Sequence, residues 1–437
     1  MKALPVMNEK AAGIDVGSES LHVSIAGEAP QVFGTMTGEL ERLRDYLLEQ
    51  AVSTAALEAT GVYWLCAYEV LESAGIEVLV VNGRHVKNVP GRKSDLADCQ
   101  WLATLHAHGL LRSGFVPDAQ IRSLQDYVRL RQDNISMAAS HVQHMQKALE
   151  RMNIKLHDVI SSLTGKSGLA VIQAIVGGER NPQHLLELCD LQIRQKKADA
   201  VRESLRGRWK KEHLFALRQA LAAWQFYQTQ ILECDQAIEA LLKGMAGPDE
   251  PGSAVGRPSP HNLAANAPKI EGLHRLLVRL CAGHDPTSIP AIADYSLLRI
   301  ISETGTDLRK WPTDKHFTAW TGLAPGSNQS GKRRGRFSRR RNRAGQIFAT
   351  LAMSLSRSVD KGLGGFYRRL KARRGGLIAN KALARKLAAL FWQVMVHGVA
   401  YAEQGLKRYE ARVLETETRV LRKLAGKHGF TLQPLAV

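Results

Sequence analysis

The stretch "AAGIDVGSESLHVSIAG", residues 11–27, decides the fold because it contains two β-strands in succession. The first strand is short and apolar, and it carries Asp15 near its end. The second strand alternates apolar and polar residues, as a half-buried strand does. A third candidate strand, "QVFGTMT", follows at residues 31–37.

Helices and strands then alternate along the chain. "GELERLRDYLLEQ" predicts a helix, "STAALEATG" a strand that contains Glu58, "VYWLCAYEVLESAG" a helix and "IEVLVVN" a buried strand. The resulting order, β-β-β-α-β-α-β-α, predicts parallel pairing of the later strands in an α/β unit.

The last helix of this unit is "KSDLADCQWLATLHAHG", residues 93–109, in which Leu96, Leu102 and Leu105 recur at helical spacing. Asp95 and Asp98 are three residues apart and therefore share one helical face. Two like charges on one face repel each other, so the pair requires an explanation.

The positive charge is concentrated at one end of the chain. The formal net charge is +19, and residues 321–437 hold 25 Lys/Arg against 5 Asp/Glu. The other 320 residues are nearly neutral, at −1. Such a basic block favours a polyanionic partner, nucleic acid first, although a nonspecific basic surface has the same composition.

Composition places the chain among globular proteins, with 44% hydrophobic residues. No apolar run reaches the roughly 18 residues of a membrane span, and the N-terminus lacks an apolar signal core. We therefore expect a cytoplasmic protein without a membrane partner. The five cysteines include no CxxC pair, which argues against a zinc site and a disulfide framework.

Beyond residue 116 the sequence is mostly helical. From Leu214 to Leu242 apolar residues follow a 3-4 spacing, with Gln228 and Asp235 as polar exceptions. This spacing predicts a coiled coil, within the chain or between subunits, and fits a plain helical bundle equally well. We expect an α/β domain at 10–115, a helical coiled-coil arm at 116–245, a linker or insertion at 246–268 and a basic, mostly helical domain at 269–437.

Four carboxylates form the candidate catalytic site: Asp15, Glu58, Asp95 and Asp98. Neighbouring strands would bring the first two to one sheet end, and the helix would aim the other pair at the same point. Together they would repel unless cations balanced them, and Mg²⁺ is the hard ion that oxygen ligands favour. Two ions about 4 Å apart can assist phosphodiester transfer. Each acid alone also fits a structural role, as turn, edge or helix-cap residue.

The series "GIDVG…LEATGVYW…GRKSDLADCQWLA" resembles the DEDD transposases of bacterial insertion sequences, family one-hundred-and-ten, and the related Piv-type DNA invertases. The resemblance covers about residues 12–115 and resumes from about 288 to 401. It implies a RuvC-like, RNase H fold for the first domain. It places the catalytic, metal-binding acids on Asp15, Glu58, Asp95 and Asp98.

The same resemblance gives a role to the loop "APGSNQSGKRRG". By chemistry alone, a Ser-Gly-Lys loop is more often a flexible phosphate contact than a nucleophile. Members of the family are thought to join a serine of this loop covalently to DNA. Aligned on the flanking Gly and Lys, that serine is Ser330, with Ser327 as the alternative because the loop is one residue shorter than usual.

The cations that follow the serine are expected to bind phosphates, which gives affinity but little sequence reading. They are Lys332, Arg333, Arg334, Arg336, Arg339, Arg340, Arg341 and Arg343. The resemblance implies that a structured non-coding (bridge) RNA pairs with donor and target DNA and supplies specificity. Because the acids and Ser330 are more than 230 residues apart in the chain, we expect a homo-oligomer, a dimer or tetramer, in which subunits could share one site.

We also expect the protein to associate with the bacterial nucleoid.

One segment departs from the family pattern. Ala291 and Ala293 replace the glycines of a Pro-Gly-Ile-Gly turn, which argues against a close backbone contact with phosphate there. Trp311 and Trp320 are expected in the core.

The sequence thus predicts a Mg²⁺-dependent transposase that acts through a phosphoserine intermediate. Three alternatives remain: a Piv-like invertase without guide RNA, a RuvC-like nuclease that uses water, and a nucleic-acid-binding scaffold without catalysis.

Overall fold

The computed structural model of the protein describes residues 5–59, 61–81, 95–247, 266–325, 329–330, 333–334, 340–358, 362–431 and 433. The chain divides into two compact units, Met1–Val116 and Pro117–Val437. Each unit is described by itself below.

The first unit is a mixed α/β structure, as the sequence predicts. Its strands are β1 (Ala12–Val16), β2 (Ser20–Ile25), β3 (Gln31–Gly34), β4 (Thr54–Glu58) and β5 (Glu77–Val81). Its helices are α1 (Thr37–Glu49), α2 (Trp64–Ser73) and α3 (Asp95–Ala107). Within the described residues the strands form one sheet in the order β3-β2-β1-β4-β5.

The alternation of strands and helices predicts parallel pairing of the later strands, and the structure confirms it. β1 pairs with β2 and β2 with β3 in antiparallel fashion, whereas β1 with β4 and β4 with β5 are parallel. Ile14 and Leu57 point to the face that packs on α1 and α2, where they join a core with Leu43, Leu47 and Leu71. Helix α3 contacts β1, β2 and β4.

The second unit is mostly helical. Its helices before residue 247 are α4 (Ala119–Arg151), α5 (Leu156–Val159), α6 (Lys166–Val176), α7 (Pro182–Glu187), α8 (Leu191–Ser204) and α9 (Lys211–Ala246). After residue 266 follow α10 (Leu273–Leu280), a 3-10 turn (Pro286–Ser288), α11 (Asp294–Thr304), α12 (Asp314–Trp320), α13 (Arg343–Leu355), α14 (Leu363–Arg374), α15 (Gly376–His397) and α16 (Val399–Lys427). Two short strands, β6 (Gln329–Ser330) and β7 (Arg333–Arg334), lie between α12 and α13.

The two long helices α4 and α9 pack against each other, which explains the 3-4 spacing along α9 within a single chain. Of its two polar exceptions, Gln228 is exposed and Asp235 is buried. The Asp235 carboxylate accepts a hydrogen bond from Nε of the buried Arg131 at 2.5 Å, and one from the backbone of Lys269 at 3.0 Å. A supercoil between subunits stays a prediction.

The predicted linker, 246–268, begins where α9 ends at Ala246, and its residues 248–265 lie outside the described residues. No helix in the described part of the chain combines the length and the apolar character that a membrane span requires.

Aromatic side chains form the centre of the C-terminal part. Trp311 is buried, and its ring centroid lies 4.7 Å from that of the half-buried Trp320. Phe317 contacts both rings and also Phe391 of α15. The expected core position is confirmed for Trp311, whereas Trp320 is half-buried at the edge of this cluster.

Candidate catalytic site

Two of the predicted carboxylates end neighbouring parallel strands. Gly13 lies opposite Ala56 in the parallel register, and Asp15 and Glu58 each follow two residues later. Since side chains alternate along a strand and adjacent strands are about 4.8 Å apart, both carboxylates emerge on one face of the sheet. Glu58 is 9% exposed and Asp15 is half-buried. The sheet therefore brings these two acids together.

Gly13 allows α3 to cross that same face at backbone contact. A Cβ atom added to Gly13 would lie 2.2 Å from the carbonyl oxygen of Cys99 and 2.3 Å from the backbone nitrogen of Ala103. Any side chain at this position would push the helix away, so only glycine permits the approach. Asp98 precedes Cys99, and the contact therefore fixes its place beside the sheet.

The Cys99 thiol interacts with the charges of two predicted carboxylates, Asp15 and Asp98. It is fully buried, and burial raises its pKa to about 11, with the charges of Asp15 and Asp98 acting in the same direction. Because Coulomb interactions weaken with distance, both carboxylates lie near this one sulfur. We call Asp15, Glu58 and Asp98 the acidic corner. The backbone of Asp95 opens α3, and its side chain lies outside the described residues.

The opposite end of α3 is fixed at the start of β4. His106 Nε2 and Thr54 Oγ1 share a buried hydrogen bond of 2.8 Å, and Asn8 Nδ2 donates to the His106 carbonyl at 3.0 Å. Burial lowers the pKa of His106, although Glu77 acts in the opposite direction. With His106 at the first residue of β4, the N-terminal end of α3 lies at the carboxyl ends of β1 and β4.

The donor set of the acidic corner fits a hard divalent cation. Its described members, Asp15, Glu58 and Asp98, offer carboxylate oxygens alone as ligand atoms. Oxygen ligands without a thiolate suit Mg²⁺ or Mn²⁺ better than Zn²⁺. The residues present therefore fit the metal that the sequence predicts.

A tighter cluster lies in the second unit, where Glu150, His157 and Asp158 form the one set of three described side chains whose ligand atoms all lie within 4.8 Å of each other. Glu150 is already paired with the Lys155 ammonium group and with His157. These contacts hold the turn after α4 and balance the acid without a metal. Ligands of a two-ion site are spread over a wider span, because the ions themselves are about 4 Å apart.

The predicted nucleophile lies in a short β-hairpin of the second unit. Gln329 pairs with Arg334 and Ser330 with Arg333 in antiparallel register. The backbone of Ser330 is therefore hydrogen-bonded across to the arginine segment. Ser327, Lys332, Arg336 and Arg339 lie outside the described residues.

Two glycines allow close backbone packing between the segments where the serine loop begins and ends. A Cβ on Gly322 would meet the Arg340 carbonyl oxygen at 2.5 Å, and a Cβ on Gly345 would meet the Thr321 carbonyl oxygen at 2.1 Å. Asn342 caps α13 by accepting from the Gly345 N–H at 2.8 Å. The two ends of the loop therefore lie close together in a tightly packed region.

Three of the predicted phosphate-binding cations, Arg340, Arg341 and Arg343, are exposed beside this base. Their guanidinium groups are available to an anionic partner. For Arg333 and Arg334 the structure describes the backbone alone.

The turn with two replaced glycines persists in the structure. Ala291 adopts a φ of +74°, the left-handed conformation that alanine rarely takes, whereas Ala293 is extended. The 3-10 turn and α11 on either side are formed as well. The substitution thus changes the strain of this turn, while the expected loss of a phosphate contact stays a prediction.

Sequence reasoning did not single out Gly13 or His106. A glycine two residues before a strand-end aspartate was the available signal for the first. No local pattern marks the second, because Thr54 is 52 residues away from it.

Family comparisons match both parts of the candidate site. Residues 12–154, which include the acidic corner, match the DEDD transposase model of the IS110 type, described as "Transposase". Residues 287–368, which include the serine loop, match the model described as "Transposase IS116/IS110/IS902 family". A search of curated protein sequences finds no match. The chain therefore carries transposase domains of the IS110 family, the first extending through α4 and the second spanning the serine loop.

Proposed function

We propose that the protein is a Mg²⁺-dependent DNA recombinase that cuts and rejoins strands through a covalent bond between Ser330 and a 5′ phosphate. The observation that carries the proposal is the acidic corner, in which Asp15 and Glu58 end neighbouring parallel strands and helix α3, packed on Gly13, carries Asp98 to the same face of the sheet. The matches to transposase domains of the IS110 family indicate that the substrate is DNA.

Asp15, Glu58, Asp98 and Asp95 would hold the metal. Bound there, two Mg²⁺ ions would supply charge stabilisation for the attacking and leaving oxygens of a phosphodiester exchange. The fixed crossing of α3 over Gly13 keeps the carboxylates at constant separation. Glu58 is itself largely shielded from solvent.

In the proposed exchange, the Ser330 Oγ forms a bond to phosphorus and the 3′ oxygen of the DNA leaves. The serine proton is transferred in the net reaction to that 3′ oxygen. Rejoining reverses the step with a new 3′ hydroxyl, so the number of phosphodiester bonds is conserved and no ATP is consumed. The exposed Arg340, Arg341 and Arg343 would bind the phosphates beside the serine loop.

Specificity is proposed to come from a structured guide RNA that pairs with donor and target DNA. Ser330 and the acids belong to different units, and a homo-oligomer could complete one site from two subunits. A mixture of Ser330→Ala and Asp15→Ala subunits tests this idea, and a mixture without any strand cleavage would refute it. As a transposase acts on the chromosome, we place the protein at the bacterial nucleoid.

The nucleophile is tested by trapping the protein on DNA. The full-length protein, with the nucleic acid that copurifies with it, is incubated with a DNA copy of its insertion-sequence end and Mg²⁺, denatured and resolved on a gel. We expect a protein–DNA adduct whose phosphopeptide contains Ser330. Ser330→Ala should abolish it and Ser327→Ala should retain it, and Asp98→Asn should abolish it while DNA binding persists.

Different outcomes identify the alternatives. Cleavage without an adduct, unchanged in Ser330→Ala, would show a nuclease that uses water. Recombination by protein free of RNA would show a Piv-like invertase. Unchanged recombination in Asp15→Ala and Asp98→Asn would show that these acids are not required for catalysis.

A further inference from the structure

Helices α14 and α15 form a hairpin whose charge is of one sign. Residues 363–397 contain eight Lys/Arg and no Asp/Glu. The base of the hairpin is fixed in the protein, since Leu363 of α14 and Leu383, Leu387 and Phe391 of α15 are buried. The hairpin is therefore anchored in the protein and carries cations alone, of which Arg369 is paired with Glu417 of α16.

The turn between the two helices is exposed to solvent. Gly375 connects the helices with a φ of +83°, and a Cβ added there would meet nothing within 4 Å. Lys371, Arg373 and Arg374 occupy the last turn of α14 and are exposed. We call residues 371–378 the hairpin tip.

The hairpin tip ends in two apolar side chains. Leu377 is 91% exposed, the highest value among the large hydrophobic side chains that the structure describes, and Ile378 is 54% exposed. The very next residue, Ala379, is fully buried. Single exposed leucines are ordinary, but this adjacent pair lies at the turn of the hairpin beside three exposed cations.

This combination of an apolar pair between cations matches one mode of DNA recognition. Minor-groove binders insert Leu, Ile, Met or Phe between base steps, while Arg and Lys bind the flanking phosphates, and the duplex bends. The hairpin tip itself contains three cations and no carboxylate, so an anionic partner such as DNA matches its charge.

From this juxtaposition we infer that the hairpin tip is a DNA-bending wedge: Leu377 and Ile378 insert between base pairs of duplex DNA, while Arg373 and Arg374 bind the adjoining phosphates. The inference rests on the proposed function for its substrate, and it goes further by assigning a bending element distinct from the serine loop. A bent duplex exposes a strained step, which lowers the energy needed to open the strands.

The test measures binding and bending separately from cleavage. The full-length protein is titrated against a duplex of about 30 base pairs with a donor and an acceptor dye at its ends, so that anisotropy reports affinity and energy transfer reports the bend. For Leu377→Ala with Ile378→Ala we expect affinity about tenfold lower and the bend largely lost. The slope of log K against log salt should be unchanged, because no phosphate contact is removed.

Two variants provide the comparison. Arg373→Gln with Arg374→Gln should lower the salt slope by about 1.8, as expected for two lost phosphate contacts. Leu188→Ala removes another exposed leucine, 43% exposed and close to the acidic Glu187 and Asp190, and should leave affinity and bend unchanged.

Several results would overturn the inference. They are an unbent duplex with the wild-type protein, an unchanged bend in the double alanine variant, or a binding defect for an RNA duplex or anionic vesicles instead of DNA. A marked fall in melting temperature would show that the two side chains pack within the protein. A bend without any serine adduct would refute the proposed chemistry and leave the wedge standing, whereas an adduct without a bend would do the reverse.

Discussion

Replacing Gly13 with alanine should separate the carboxylates of the acidic corner without altering any of them. The new Cβ would stand 2.2 Å from the Cys99 carbonyl oxygen and 2.3 Å from the Ala103 nitrogen, where 3.4–4 Å is ordinary contact. Both neighbours are backbone atoms, so no side-chain rotation relieves the clash. Helix α3 must therefore retreat from β1 by about 1 Å.

This displacement has two measurable consequences. Overpacking of this kind destabilises a protein by about 1–3 kcal/mol. A misplacement of about 1 Å lowers the rate of a positioned reaction by about a hundredfold. Because Asp98 moves with α3 and Asp15 stays on β1, we expect DNA cleavage to fall by about that factor under saturating Mg²⁺.

The assay combines single-turnover cleavage with urea unfolding, and Gly38→Ala is the matched control. Gly38 lies in the first turn of α1, where an added Cβ meets nothing within 4 Å. This change should stabilise the protein by about 0.5–1 kcal/mol and leave cleavage unchanged. If Gly13→Ala kept the wild-type stability and rate, α3 would not press on β1 there, and the placement of Asp98 beside Asp15 would be wrong.

Three further substitutions test other parts of the structure. Burial lowers the pKa of His106, so the folded protein binds this proton at lower pH than the unfolded chain does. Stability should therefore fall as pH drops below about 6.5, and His106→Gln should remove this slope in pH-dependent melting curves. Arg131→Ala leaves the Asp235 carboxylate buried and unbalanced, and urea unfolding should show a loss of about 3–5 kcal/mol, much of it recovered in Arg131→Met with Asp235→Leu. Ala291→Gly should raise the free energy of unfolding by up to about 1 kcal/mol by relieving its positive φ, whereas Ala293→Gly should not.

The order of strands and helices in the first unit could be predicted from the sequence because each element carries its own period and its own turn residues. The positions of Asp15 and Glu58 at strand ends followed from the same pattern. What joins them to α3 could not be predicted, since the Gly13 contact and the His106–Thr54 hydrogen bond form only after distant segments pack. The sequence pattern around each residue does not indicate contacts with such distant segments.

The helical arm illustrates the same limit. The 3-4 spacing of α9 revealed a buried face but not its partner, which is α4, far earlier in the chain. Asp235 is an exception in the apolar pattern of α9, yet no sequence pattern favours Arg131 as its counter-ion among 60 Lys and Arg residues. Charge counts identified the basic C-terminal region as a whole, and the structure was needed to distinguish the hairpin tip within it.

The location of bound metal tests the central claim most directly. Anomalous diffraction from crystals grown with Mn²⁺ should show density within about 2–2.5 Å of the carboxylate oxygens of Asp15, Glu58 and Asp98, at the carboxyl ends of β1 and β4. Density only at Glu150, His157 and Asp158, or none beside the acidic corner, would contradict the account.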